Sequence, residues 1–126
     1  MRYHASCAAL ALLLAGHGPA SAAPAAGAYG ATLCVRLATQ PPSCGPVQAQ
    51  LSAQRLELRA SDIVYRLALP VQRGSSRLDV QVMHGTMQID EFNGPFEWAG
   101  TTLRFDDSDK QTRYEVQLGE RERAIK

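Results

Sequence analysis

Apolar and polar residues alternate along most of the chain from Leu33 to Leu118, which is the period of a β-strand with one buried face. No long segment has the 3.6-residue period of an amphipathic helix. The pattern therefore predicts an all-β domain, a small antiparallel meander of about eight strands. Its alternating apolar positions are Leu33, Val35, Leu37, Val47, Ala49, Leu51, Ala53, Leu56, Leu58, Ile63, Tyr65, Leu67, Leu69, Leu78, Val80, Val82, Met87, Ile89, Phe96, Trp98, Leu103, Phe105, Tyr114, Val116 and Leu118.

Four two-residue turns set the expected strand register: Ser61-Asp62, His84-Gly85, Asn93-Gly94 and Ala99-Gly100. A slip of one residue would move a whole apolar set to the other face of the sheet. With these turns every apolar set falls on one shared face, and this agreement supports the meander. The predicted pairs are Leu56 with Leu67, Leu58 with Tyr65, Val80 with Ile89, Val82 with Met87, Ile89 with Trp98, and Phe96 with Leu103.

Such a meander has to cover its apolar face and its two edge strands. We expect it to close into an up-and-down barrel, and a two-sheet sandwich is the alternative. The inward side chains are numerous enough to fill a barrel of this size, whose interior is about one layer of side chains wide.

The first residues have the composition of a secretory signal peptide. Arg2 precedes an apolar run over residues 5–15, and the small residues Ala20, Ser21 and Ala22 follow it. The run is shorter than the roughly 20 residues of a membrane-spanning helix, so no membrane span is expected. We predict a periplasmic or secreted protein that consists of a signal peptide (1–22), a flexible linker (23–30), a β-barrel domain (31–119) and a polar C-terminal tail (120–126).

Charge and cysteine content narrow the functional classes. The chain has 13 Lys and Arg against 12 Asp and Glu, so loss of Arg2 with the signal peptide leaves 12 of each. A neutral chain lacks the basic surface on which nucleic-acid binding depends. Cys34 and Cys44 remain after export and are expected to form one disulfide. Their spacing does not fit a Cys-x-x-Cys redox or zinc motif.

Metal binding and catalysis both lack support in the sequence. Met83, His84 and Met87 are the ligand types that Cu(I) prefers. The predicted register, however, points Met83 outward and Met87 inward, so the two sulfur atoms could not bind one ion. The chain has no Gly-x-Ser-x-Gly, His-Glu-x-x-His or glycine-rich phosphate-binding motif. We therefore predict no metal, no cofactor and no enzymatic activity.

The predicted register also opposes acidic residues on the outer face. Asp79 falls opposite Asp90, Asp90 falls opposite Glu97, and Glu91 lies beside them. Like charges directly opposed destabilise a sheet by up to about 1 kcal/mol per pair. Three interpretations remain open: a solvated surface, a docking patch for a protein with a basic surface, and a divalent-cation site. The loop 106–111 fits calcium poorly, because it lacks the glycine and the closing glutamate of such loops.

The leading hypothesis is an exported, non-catalytic binding module. By analogy of architecture it could be an inhibitor or immunity-type protein that occludes a cell-wall hydrolase or protease. The acidic residues would face the partner, and the loops 40–46 and 70–76 are candidate insertion elements. One alternative is a carrier of a small apolar ligand lined by Tyr65, Trp98 and Tyr114. A second alternative is a structural accessory of an envelope complex.

Overall fold

Residues 24–70 and 76–122 are described by the computed structural model of the protein. They form eight antiparallel strands and no helix, and accordingly no helix there could cross a membrane. The predicted signal peptide, and most of the loop 70–76, lie outside these residues. The strands are β1 (Gly27–Leu37), β2 (Ser43–Leu51), β3 (Arg55–Ala60), β4 (Ile63–Ala68), β5 (Arg77–His84), β6 (Met87–Ala99), β7 (Thr102–Asp107) and β8 (Thr112–Arg121).

The strands form a closed meander barrel, as the alternation predicted. Each strand pairs with the next one along the chain, and β8 pairs with β1. The two shortest ladders, β2–β3 and β6–β7, contain four residue pairs each. They join two four-stranded halves, β3–β6 and β7–β8–β1–β2. The connections that follow β1, β3, β5 and β7 lie at one end of the barrel, which we call the hairpin end.

The barrel begins before residue 31 and ends after residue 119, which were the predicted bounds of the domain. Gly27, Ala28, Tyr29 and Gly30, which were assigned to a flexible linker, pair with β2 and form the start of β1. Tyr29 is buried in the core. At the other terminus β8 continues to Arg121, beyond the predicted start of the polar tail. The Ala- and Gly-rich composition was a poor guide here, because strand pairing and burial of Tyr29 order this segment.

The barrel interior is filled by side chains from all eight strands. Its buried cluster contains 15 of the 25 inward-facing positions that the alternation predicts, together with Tyr29 and Phe92. Of the other ten predicted positions, six are partly buried (Val35, Ile63, Tyr65, Leu69, Phe96 and Trp98) and four are exposed (Leu37, Ala53, Met87 and Ile89). The members of the cluster are Tyr29, Leu33, Val47, Ala49, Leu51, Leu56, Leu58, Leu67, Leu78, Val80, Val82, Phe92, Leu103, Phe105, Tyr114, Val116 and Leu118.

The predicted register is confirmed for the β3–β4 hairpin and wrong for the β5–β6 hairpin. Leu58 pairs with Tyr65, as expected. In the second hairpin His84 pairs with Met87 across a turn at Gly85-Thr86, and a β-bulge follows between Val82 and Met83. Val82 therefore faces Asp90, and Val80 faces Phe92. Ile89 is the unpaired residue of the bulge. Met87 pairs with His84 directly beside the turn, so both side chains are exposed at the tip of the hairpin.

Asn93-Gly94 is not a turn, because β6 runs through it without interruption. A Cβ atom at Gly94 would lie 1.8 Å from the backbone oxygen of Asp106 in β7. Glycine is therefore required for the close approach of two strands, and not for a hairpin. The next turn lies at Gly100-Thr101, so Trp98 pairs with Leu103 in place of Phe96.

The predicted disulfide joins Cys34 of β1 to Cys44 of β2. The two residues are direct cross-strand partners, with their Cα atoms 4.0 Å apart. The bond is compatible with an oxidising compartment.

Replacing both Cys34 and Cys44 with alanine is expected to destabilise the protein by about 2.5 kcal/mol, because the unfolded chain regains the entropy of the short loop. Urea unfolding of the double variant measures this loss. Reduced wild-type protein should show the same shift in urea midpoint. An unchanged midpoint in both samples would contradict a stabilising role of the bond.

Candidate functional site

The row of acidic residues predicted on the outer face does not exist, because the β5–β6 register differs. Asp79 lies opposite Asn93 and accepts a hydrogen bond of 2.8 Å from its side-chain amide. Glu97 lies opposite Arg104, with 3.4 Å between carboxylate and guanidinium. Asp90 lies opposite Val82. The three carboxylates are therefore separated, and the predicted repulsion among them is absent.

Glu91 and Asp79 share the wall of an outer depression with arginines. Glu91 lies opposite Gln81, and the depression is also lined by Arg55 and Arg66. Arg66 lies opposite Glu57, with 3.6 Å between guanidinium and carboxylate. Positive and negative charges alternate over this surface, so it does not form the acidic docking patch that was one of the three interpretations of the sequence.

Asp90 instead lies at the hairpin end, where it shares a lysine with Asp107. The ammonium group of Lys110, in the β7–β8 turn, lies 3.0 Å from Asp90 and 3.3 Å from Asp107. Asp107 is only 2% exposed. Hydrogen bonds to Asp90 and then to Asp107 raise the pKa of Lys110 above its usual value. The lysine thus neutralises a buried carboxylate and links β6 to the β7–β8 hairpin.

Aromatic side chains pack beneath these charges. The rings of Phe92, Phe105 and Tyr114 stack on one another. The distance between ring centroids is 4.8 Å for Phe105 and Tyr114 and 5.7 Å for Phe92 and Tyr114. Tyr65 meets Tyr114 edge-on at 6.0 Å. The pKa of Tyr114 is raised to about 12, mainly because the phenol is buried. The nearby Tyr65 and Asp107 add smaller contributions in the same direction. The aromatic layer closes the barrel interior at this end.

The raised pKa of Tyr114 predicts alkaline destabilisation. Its value in the folded protein, about 12, exceeds the ordinary 10.0, so the folded state holds the phenol proton more tightly than the unfolded chain does. This contribution to stability is complete below pH 10 and is lost as the pH rises toward 12. Tyr114→Phe should therefore show a weaker decline of the urea midpoint above pH 10 than wild type. Equal declines would contradict the assignment.

Tyr65, Trp98 and Tyr114 do not line one common site. Tyr65 and Tyr114 are neighbours near the hairpin end, whereas Trp98 lies beside the β6–β7 turn at the opposite end. The buried cluster lies between them. The grouping that was predicted for an apolar ligand is therefore not found.

Exposed apolar side chains are concentrated at the hairpin end. Among the residues that the structure describes, the large hydrophobic side chains with high exposure are Leu37 at 54%, Met87 at 66% and Ile89 at 53%. Leu37 ends β1, and the other two begin β6. The sequence pattern missed this feature, because alternation assigned all three side chains to the core.

The two methionines considered for copper binding are placed apart, and the histidine between them contacts a carboxylate. Met83 pairs with Gln88 and Met87 with His84, so the two sulfur atoms lie on opposite faces of the hairpin. The Nε2 atom of His84 lies 3.0 Å from Asp62. Within residues 24–70 and 76–122 no cluster of three or more His, Cys, Asp or Glu side chains has the arrangement of a metal site.

Comparison of the chain with family models, with curated proteins and with solved structures gives no match.

Proposed function

We propose that the protein is an exported, non-catalytic binding module that docks on a partner protein through the hairpin end of its barrel. The observation that supports this most directly is the position of Leu37, Met87 and Ile89 at one end. Single exposed apolar residues are common on protein surfaces, whereas neighbouring ones mark contact surfaces. Met87 and Ile89 lie two residues apart in β6, and Leu37 lies at the same end of the barrel. In this proposal the module acts as an inhibitor or immunity-type protein and occludes a cell-wall hydrolase or protease.

Burial of these side chains would supply much of the binding free energy. Each large aliphatic side chain contributes about 1.5–3 kcal/mol when it is fully removed from water. The charged group formed by Asp90, Lys110 and Asp107 lies at the same end. Apolar contacts beside paired charges are the usual composition of a protein interface.

Export is supported by two independent features. The N-terminal composition is that of a signal peptide, and the Cys34–Cys44 disulfide suits an oxidising compartment. A carrier or an envelope accessory is not proposed, because no specific contact in the barrel favours either function.

The test compares two double variants of the purified, disulfide-bonded protein. Wild type captures candidate partners from an envelope extract, and each identified partner is then purified for affinity measurement. Met87→Ser/Ile89→Ser should weaken binding by about tenfold or more, since two apolar contacts are lost. The matched control, Gln48→Ser/Gln50→Ser, changes two exposed residues on the outer face of β2.

Capture alone does not support the proposal. A partner whose affinity is lowered by the first variant and unchanged by the control supports docking through the hairpin end. A partner with the same affinity for both variants would refute it. The two substituted apolar residues are exposed, so folding should be preserved.

A further inference from the structure

One edge of β6 lacks a strand partner over nine of its 13 residues. From Met87 to Pro95 this strand pairs with β5 on one side. On its other side the ladder with β7 includes only Phe96, Glu97, Trp98 and Ala99. No other strand in residues 24–70 and 76–122 pairs with this part of β6. The β5–β6 hairpin therefore extends beyond the end of β7.

Backbone groups on this edge point away from the barrel's hydrogen-bond ladders. The N–H of Phe96 donates to Ser76 on the β5 side at 2.9 Å. Because these directions alternate along an antiparallel strand, the odd-numbered residues Glu91, Asn93 and Pro95 face the other way. The N–H of Glu91 donates to the carboxylate of its own neighbour Asp90 at 2.8 Å, and Pro95 has no N–H. A side-chain acceptor in place of a strand partner, and a proline that has no N–H to pair, are both typical of an unpaired edge.

The unpaired edge has defined limits. At Gly94 the strand passes close to the backbone oxygen of Asp106, so β7 covers the edge there. Beyond that contact Lys110 reaches across to Asp90. Lysine is one of the residues that proteins use to protect a sheet edge. We call the segment 88–93 the free edge of β6.

We propose that an extended segment of the partner protein adds to the free edge of β6 as a further strand. This inference rests on the proposed function and names how the partner is held. The carbonyl of Asn93 already accepts a hydrogen bond of 3.2 Å from the guanidinium of Arg77. An added strand would therefore pair with the N–H of Asn93 and the carbonyl of Glu91, and its side chains can contact Met87 and Ile89 at the same hairpin. A basic side chain in the added segment takes the place of Lys110 at Asp90 or pairs with Glu91.

Charge favours a basic segment of another protein over a second copy of this chain. Asp90 is already paired with Lys110, so Glu91 is the acid that matters here. If two free edges paired with each other, Glu91 of one copy would lie near Glu91 of the other. Opposed like charges destabilise strand pairing. A Lys- or Arg-containing segment has the complementary charge.

The experiment uses short peptides as the probe. Peptides from a displayed random library are selected on the purified, disulfide-bonded protein. Each binder is then synthesised with a single backbone N-methyl group at successive positions. Methylation should weaken binding by about three- to tenfold at every second position, where an N–H faces β6, and should have little effect between them.

Two variants of Glu91 separate the backbone from the charge. Glu91→Pro removes an edge N–H and should reduce peptide affinity at least as much as methylation does. Glu91→Gln keeps the N–H and should have a smaller effect. If Glu91→Pro does not fold, the methylation series on wild type still decides the matter.

Each outcome has a distinct meaning. Selected peptides with basic residues and period-two sensitivity support strand addition. Aperiodic sensitivity, the absence of any selected peptide, or dimerisation of the protein through β6 overturns it. If Met87→Ser/Ile89→Ser weakens partner binding but N-methylation of the peptides shows no period of two, strand addition is refuted and the proposed function stands. The proposed function fails first if that double variant leaves partner binding unchanged.

Discussion

Replacing Gly94 with alanine is expected to destabilise the protein by about 3 kcal/mol or more, because the new methyl group has no space. Its Cβ would lie 1.8 Å from the backbone oxygen of Asp106, far inside van der Waals contact. The obstacle is the main chain of β7 and not the end of a flexible side chain. Relief therefore requires β6 and β7 to separate at the point where their ladder ends.

Gly30→Ala is the matched control for this substitution. Gly30 is also a strand glycine, but a Cβ added there would meet no atom within 4 Å. The control should change stability by less than about 0.5 kcal/mol, as most surface substitutions do. Urea unfolding at one pH measures both variants. Equal stability of the two would show that β6 does not pass close to β7 at Gly94.

The same glycine explains why part of the register could not be derived from the sequence. Asn-Gly is a strong hairpin dipeptide, and local preference alone favours a turn at residues 93–94. The contact between Gly94 and Asp106 is long-range, so no local pattern contains it. Reading the dipeptide as a turn divided β6 into two strands and produced the predicted pair of Ile89 with Trp98, which the structure does not contain.

The alternation of apolar and polar residues was sufficient to predict the architecture. Outside β6, most of the apolar positions fall on the inward face, with Leu37 and Ala53 as exposed exceptions. The short Ser61-Asp62 turn permits one register for β3 and β4. The order of strands follows because consecutive antiparallel strands joined by short connections pair with each other. Closure of the barrel could be expected, since it removes both edges of the meander.

The candidate site could not be predicted from local sequence patterns. Asp90 was placed in an outer row because a β-bulge between Val82 and Met83 leaves no mark in the alternation. Its contact with Lys110 joins residues 20 apart in the chain, on two hairpins that the β6–β7 ladder brings side by side. The exposed apolar residues were hidden for a related reason, because an apolar residue in an alternating run is assigned to the core.

Replacing Phe105 with alanine should have the largest effect on stability, about 3–5 kcal/mol, because a large aromatic side chain leaves a well-packed core. Phe105 is 1% exposed, and it stacks on Tyr114 at 4.8 Å and on Phe92 at 6.4 Å. The cavity would lie directly beneath the layer that separates the interior from Asp90 and Asp107. Phe105→Leu retains much of the volume and should lose less, about 1.5 kcal/mol.

The Phe105 variants also test what keeps Tyr114 protonated. Burial is the main cause of its raised pKa, so water admitted beside the ring should move that pKa from about 12 toward 10.0. Spectrophotometric titration of the tyrosines measures this shift in each variant that remains folded. Phe96→Ala is the control, because Phe96 is only partly buried and does not belong to the stack. If Phe105→Leu and Phe96→Ala leave the titration equally unchanged, the aromatic layer does not exclude water from Tyr114, and the hairpin end is more open than its packing indicates.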